Sequence, residues 1–292
     1  MHGHVSSFQP LLLRVLAYRW TPLLATLFLA AVLFVSRCGP SAAELHSAAL
    51  AASAKATEAQ AAAAAAAAGA SAQNARPCSS AAAMMIAAQY GLVTTAGHPG
   101  HPNDITDHIP LIYAAARGAA RTTELGVRGG VASWAFAEAA AERAAAGLPV
   151  AYRAVDVIKL PSIAALDAAM AGCPGVDYAF LEGNDLVVGP WPSDVLLLDT
   201  WHVYKQLIVE LPRWAPHTAS TIILHDTTTY GAVDEEVRNM PIDFTLFAKT
   251  QKSGLWTAVQ DFLASPQGAN WRIKERRHTS NGLTVLERVK PE

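Results

Sequence analysis

Asp199 and His202 stand three residues apart in Leu198-Asp199-Thr200-Trp201-His202-Val203-Tyr204, where an apolar run gives way to a helical pattern. A second cluster, His225-Asp226-Thr227-Thr228-Thr229, ends the next apolar run. Two aspartates at adjacent strand ends offer hard oxygen ligands suited to Mg²⁺ or a similar divalent cation. His225 is a candidate third ligand. An imidazole beside such a cation is the side chain best matched to taking a proton near neutral pH. His202 is therefore the candidate general base, and Asp199, His225 and Asp226 are the candidate metal ligands. Blander roles compete: His202 as a structural, helix-capping histidine, and His225 as a residue that merely orients Asp226.

These residues need a scaffold that brings distant strand ends together. Apolar runs predict strands at Thr122–Leu125, Val150–Val155, Tyr178–Leu181, Val195–Leu198 and Thr221–Leu224. Helical patterns fall between them at Ala132–Ala146, Ile163–Ala171 and Val203–Trp214. This alternation predicts an α/β fold, doubly wound around a mostly parallel sheet. Val195–Leu198 is apolar without alternation, as a central parallel strand should be. Near the end, Leu255–Leu263 reads as a helix, and Trp271–Arg277 and Leu283–Arg288 as two strands. Ser280-Asn281-Gly282 between those two is good turn chemistry and predicts an antiparallel C-terminal pair. Asp104 is the expected N-cap of a helix beginning in Ile105–Tyr113.

In open α/β sheets ligands bind beyond the carboxyl ends of the strands, and all five candidate strands carry polar clusters there. The first ends in Thr122-Thr123-Glu124-Leu125-Gly126-Val127-Arg128-Gly129-Gly130-Val131. Glycines let the backbone turn sharply and approach a ligand, and a carboxylate just before them favours a ligand with hydroxyls or positive charge. A dinucleotide fold would need G-x-G-x-x-G, but Arg128 takes the place of its second glycine. S-adenosylmethionine is thus the better candidate ligand. Asp156, at the end of the second strand, is placed to accept hydrogen bonds from ribose hydroxyls.

The sequence ahead of the strands differs in kind. No Asp or Glu precedes Glu44, and an uncharged apolar stretch runs from Trp20 to Ser36. It reads as a single-pass signal anchor with the remainder facing the ER or Golgi lumen. A cleaved secretory signal ending near Ser41-Ala42-Ala43, or an organelle transit peptide, are the alternatives. Residues 41–76 are alanine-dominated and read as a stalk or linker, leaving 1–40 as the targeting segment and 77–292 as the catalytic domain. Alanine also inflates the 52% apolar content, so that figure overstates the core. A net charge of −2 offers no footprint for nucleic acid. Cys38, Cys78 and Cys173 fit no metal pattern, although Cys38 and Cys78 could pair in an oxidising compartment.

The quoted motifs resemble class I S-adenosylmethionine-dependent methyltransferases, in particular methyltransferase-domain proteins with E-x-G-V-R, D-T-x-H-x-Y and H-D-T. Gly254-Leu255-Trp256 is similar to their G-L-W helix start, Asn281–Arg288 to their final strand, and Asp104-Ile105 with His108 to their opening helix. The resemblance spans about Asn103 to Val289. It implies a seven-stranded sheet with the last strand antiparallel. It also implies that Glu124, Gly126, Val127, Arg128, Gly130 and Asp199 surround the methionine part of the cofactor, with Asp156 on the ribose. Glu182, Gly183 and Asn184 would lie near the adenine. The Asp199–His202 turn is similar to the metal-binding turn of catechol O-methyltransferase, with Thr227 where that enzyme has an asparagine ligand. Macrolide sugar O-methyltransferases are similar too, with a histidine base beside an acidic metal site.

The reading that follows is a membrane-tethered, metal-assisted O-methyltransferase acting on a hydroxyl of a small molecule or glycan. The alternatives are a catalytically inactive cofactor-fold binding or scaffolding module and an oxidoreductase on a related fold. Thr94–Asn103 and Gly231–Ser253 are the segments expected to choose the substrate.

Overall fold

The computed structural model describes residue 78 and residues 81–95, 104–236 and 243–289. Seven strands form one sheet in the order β3-β2-β1-β4-β5-β7-β6. They are β1 (Arg121–Leu125), β2 (Val150–Asp156), β3 (Val176–Glu182), β4 (Ser193–Leu198), β5 (Thr218–His225), β6 (Trp271–Arg277) and β7 (Leu283–Arg288). Among the described residues the α-helices are α1 (Ala81–Thr95), α2 (Ile109–Ala116), α3 (Ser133–Ala145), α4 (Ile163–Ala171), α5 (Tyr204–Trp214) and α6 (Leu255–Leu263). β7 runs antiparallel to both of its neighbours. It alone reverses direction, and β6 returns to the sense of the parallel set. This is the doubly wound α/β sheet expected from the sequence.

Two apolar cores sandwich the sheet. Ile112, Phe136, Tyr152, Ile163, Leu166 and Leu197 belong to one face, under α1 to α4. Leu125, Val155, Leu198, Leu207, Trp214 and Phe262 belong to the other, under α5 and α6. Neighbouring residues of a strand point to opposite faces, so both cores draw on the continuous apolar runs. Alanine does more here than the composition suggested. In α3, Ala135, Ala137, Ala139, Ala140 and Ala141 are all buried. Such small side chains bring the helix close to the sheet, and Phe136 stacks on Tyr152 at 5.5 Å.

Several expectations need correction. Asp104 caps no helix: its Oδ2 accepts a hydrogen bond from Asn281 Nδ2 at 2.8 Å. His108 flanks α2 instead, after a short 3₁₀ turn at Thr106–His108. Helix α1 has no counterpart in the sequence reading, because its alanine-rich stretch lacks a one-sided apolar pattern. Cys78 is buried beside Cys173, both free thiols. The membrane-anchored location is withdrawn: among the described residues no helix is long and apolar enough to cross a membrane. The apolar segment Trp20–Ser36, the alanine stalk and Cys38 lie outside the described residues.

Candidate active site

The carboxyl ends of β1 to β5 surround a cleft of about 290 Å³. Strand ends are tied at this level: Gly126 N donates to Val155 O and Asp199 N to Leu125 O. Gly126 has a φ of +84°, and a Cβ there would sit 2.1 Å from Asp199 O. Only glycine lets the β1 turn pass so close beneath the β4 turn. Its immediate role is thus to bring two strand ends together.

One half of the cleft is built by the ends of β1, β2 and β3. Gly126, Arg128, Asp156, Gly183 and Asn184 line it, together with the apolar side chains of Ile158 and Leu160. Asp156 Oδ2 accepts from the amides of Val127 at 2.8 Å and Arg128 at 2.7 Å, so it holds the glycine turn in shape. Asn184 Oδ1 accepts from Leu186 N and closes the β3 turn. Glu124, Val127, Gly130 and Glu182 do not line the cleft. Glu124 is buried beneath the turn, accepting hydrogen bonds from Ser133 Oγ at 2.8 Å and from the Tyr152 hydroxyl. Burial pushes its pKa up to about 8, with the Asp199 and Asp156 charges adding and the two hydrogen bonds opposing.

The other half lies at the ends of β4 and β5, where four predicted residues converge. His202 Nε2 is 2.9 Å from Asp226 Oδ2 and 3.4 Å from Asp199 Oδ1. His225 Nδ1 is 2.9 Å from Asp226 Oδ2 and 3.1 Å from Asp199 Oδ1. Burial alone would lower both imidazoles. The two carboxylates outweigh it, raising His202 to about 10 and His225 to about 11. The same imidazoles hold Asp199 and Asp226 below the usual carboxylate range despite their burial. Asp226 sits in the left-handed region with φ 60°.

This donor set fits a divalent cation. Asp199, His225 and Asp226 each offer a ligand atom, all within 4.8 Å of one another. Asp226 Oδ1 is also buried with no hydrogen-bond partner among the described residues. An unpaired buried oxygen costs free energy, which a bound cation offsets.

Glu235 is part of the site; it lies in the segment Gly231–Ser253 expected to choose the substrate, but no motif marks it. Its Oε2 lies 2.9 Å from His202 Nδ1, and its backbone N–H donates to His202 O. Asp234 Oδ1 accepts from Tyr204 N and Gly254 N, both at 2.7 Å, and so caps α5 from a distant loop. Asp104, Asp185, Trp201 and Gln206 line the cleft as well. Asp185 and Glu210 form a buried carboxyl pair against Gln206, both raised by burial and, at Glu210, by Asp185's charge. Of these, Trp201 and Asp104 stand inside motifs that the sequence singles out, and Asp185 follows the predicted adenine-side residues Glu182, Gly183 and Asn184.

No family model matches this chain, and no curated protein matches it. Solved structures are similar to it in fold. An SAH-bound methyltransferase from Podospora anserina shares 12% identity, covering 71% of this chain and 88% of its own, at a TM-score of 0.46. An O-methyltransferase from Bacillus cereus in complex with SAH shares 15% identity, covering 71% and 91%, at 0.44.

Proposed function

We propose that this chain is an S-adenosylmethionine-dependent methyltransferase that methylates a hydroxyl oxygen with help from a divalent cation. The observation that carries the reading is the pairing within one cleft of a turn-lined pocket and the Asp199, His202 and Asp226 side chains, with His225 buried against the two carboxylates. Ile158 and Leu160 expose apolar surface to the cleft, where a purine face removes it from water. Asn184 and Gly183 stand beside them for the adenine edge, Asp156 has carboxylate lone pairs left for a ribose hydroxyl, and Arg128 suits a carboxylate. Glu124 and Gly130 act beneath this surface by fixing the turn.

When bound, S-adenosylmethionine supplies a methyl group on a sulfonium, and the cation acts as a Lewis acid that lowers the acceptor hydroxyl's pKa. Asp199, His225 and Asp226 hold that cation. His202 would take the acceptor hydroxyl's proton at Nε2, the ring nitrogen turned away from Glu235. Asp199 and Asp226, the carboxylates that raise His202, are the same groups that would hold the cation. Glu235 fixes the ring from its other nitrogen. The acceptor is a small molecule or glycan, and Trp201 and Glu235 line the cleft beside His202.

The test is methyl transfer from labelled cofactor across sugar, catechol and carboxylate acceptors, with and without Mg²⁺. His202→Ala should bind cofactor normally by calorimetry while losing about 10²–10⁴-fold in turnover. Unchanged turnover removes His202 as the base, and absence of cofactor binding in the unaltered chain removes the reading altogether.

A further inference from the structure

The cation-assisted reading leaves open which cation the site takes, and His225 bears on that choice. Its Nε2 lies 3.2 Å from the backbone oxygen of Ser280. A carbonyl can only accept, so Nε2 carries the proton of that hydrogen bond. In the neutral ring the lone pair is therefore on Nδ1, the atom directed at Asp199 and Asp226.

The ring has no freedom to turn away. It is 2% exposed and packs edge-on against the His108 imidazole, with centroids 5.6 Å apart. Ser280 itself is fixed in the hairpin turn, where Ser280 and Asn281 have φ of 47° and 64°. Ser280 Oγ donates to Asp107 and Asn281 Nδ2 to Asp104, which straps the turn to the segment before α2. A hydrogen-bonded partner behind a metal-binding imidazole sets its tautomer and strengthens it as a ligand. The spacings agree with such a role. Metal–ligand bonds of about 2.0–2.2 Å put neighbouring donors roughly 3–3.5 Å apart, from octahedral to tetrahedral arrangements. Asp226 Oδ2 and Asp199 Oδ1 stand 2.9 and 3.1 Å from His225 Nδ1.

We propose that the Asp199–His225–Asp226 centre is built for a late first-row divalent cation, of the Co²⁺, Ni²⁺ and Zn²⁺ class, in preference to Mg²⁺ or Ca²⁺; the inference rests on the cation-assisted reading above. Mg²⁺ and Ca²⁺ take oxygen ligands, whereas imidazole suits the later transition metals. A buried nitrogen that cannot leave the donor set biases the site against the harder ions. The donors that lie within 4.8 Å of one another are those of Asp199, His225 and Asp226, and His202 is not in that set.

The experiment uses the full chain stripped with chelator and titrated with Co²⁺, then with Mg²⁺, by calorimetry and visible absorption. Expected is one Co²⁺ site at least ~100-fold tighter than any Mg²⁺ site, with a ligand-field spectrum. That site should vanish in Asp226→Asn. His225→Asp should cut the preference below ~10-fold by weakening Co²⁺ binding. Proton NMR of the unaltered Co²⁺ form adds a check independent of any variant: one shifted, exchange-protected N–H signal, from His225 Nε2. Mg²⁺ binding within about threefold of Co²⁺, or lack of the shifted N–H signal, overturns the inference and leaves cation assistance standing. Absence of any saturable cation site overturns both. S-adenosylmethionine titration in the same samples separates that outcome from failure of the methyltransferase reading itself.

Discussion

The two halves of the cleft use the same side chains to opposite ends. At the ends of β1 and β2, Glu124 and Asp156 spend their hydrogen bonds on the protein: on Ser133, Tyr152 and the amides of the glycine turn. At the ends of β4 and β5, Asp199 and Asp226 meet imidazoles, with no Lys or Arg paired to them among the described residues. The first pair shapes a surface for a ligand to rest on. The second concentrates charge and mobile protons at one point. A carboxylate at a strand end is thus a frame or a reagent according to the donors that face it.

The contrast breaks most sharply at the second half. Asp226→Asn removes one proposed cation ligand and a partner of His202, so methyl transfer should fall by about 10²–10⁴-fold. Cofactor affinity measured by calorimetry should change less than about fivefold. A parallel collapse of cofactor affinity would show that the halves are not separable.

Glu124 tests the first half through stability. Its carboxyl ordinarily titrates near 4.5 and is raised to about 8 in the fold. Between those values the native state keeps a proton that the unfolded chain has lost. Its stabilising contribution is complete below about 4.5, declines as pH rises through 8, and is flat beyond. Glu124→Gln cannot ionise, so at pH 9 it should exceed the unaltered chain by on the order of 4 kcal/mol, with little difference at pH 4. Denaturant melts at the two pH values check this. Equal pH slopes in both proteins would mean that Glu124 does not bury its proton.

The division between frame and reagent is only half legible in the sequence. Element positions are legible because apolar runs and helical patterns alternate cleanly: Ile163–Ala171, Leu255–Leu263, Trp271–Arg277 and Leu283–Arg288 have the expected limits. The Asp199–His202 and His225–Asp226 pairs are legible because chemistry-bearing residues crowd the ends of apolar strands. Glu124 is a different case. Its place at a strand end suggests a ligand contact, but strand alternation sends its side chain to the α3 face, where Ser133 and Tyr152 wait. Reading that requires the tertiary arrangement. No motif marks Glu235 or the role of the Ser280 carbonyl, since one stands in an ordinary run of acids and the other acts through its backbone.

Asp234 offers the mildest and most local test of the contrast, because the loop at Gly231–Glu236 serves the second half alone. Its Oδ1 receives two amide hydrogen bonds, one at the start of α5 and one at Gly254 ahead of α6. Its own N–H donates to Ser253 Oγ. These contacts hold the backbone that presents Glu235 to His202. Asp234→Ala leaves two amides without an acceptor and should cost about 1–2 kcal/mol, as loss of a helix cap does. Turnover should fall a few-fold as Glu235 loses its hold, while cofactor affinity stays within about twofold. Asp234→Asn retains an acceptor oxygen and should recover most of the stability and turnover. If Asp234→Ala instead weakens cofactor binding and spares turnover, the loop belongs to the cofactor half and the division drawn between the strand ends is misplaced.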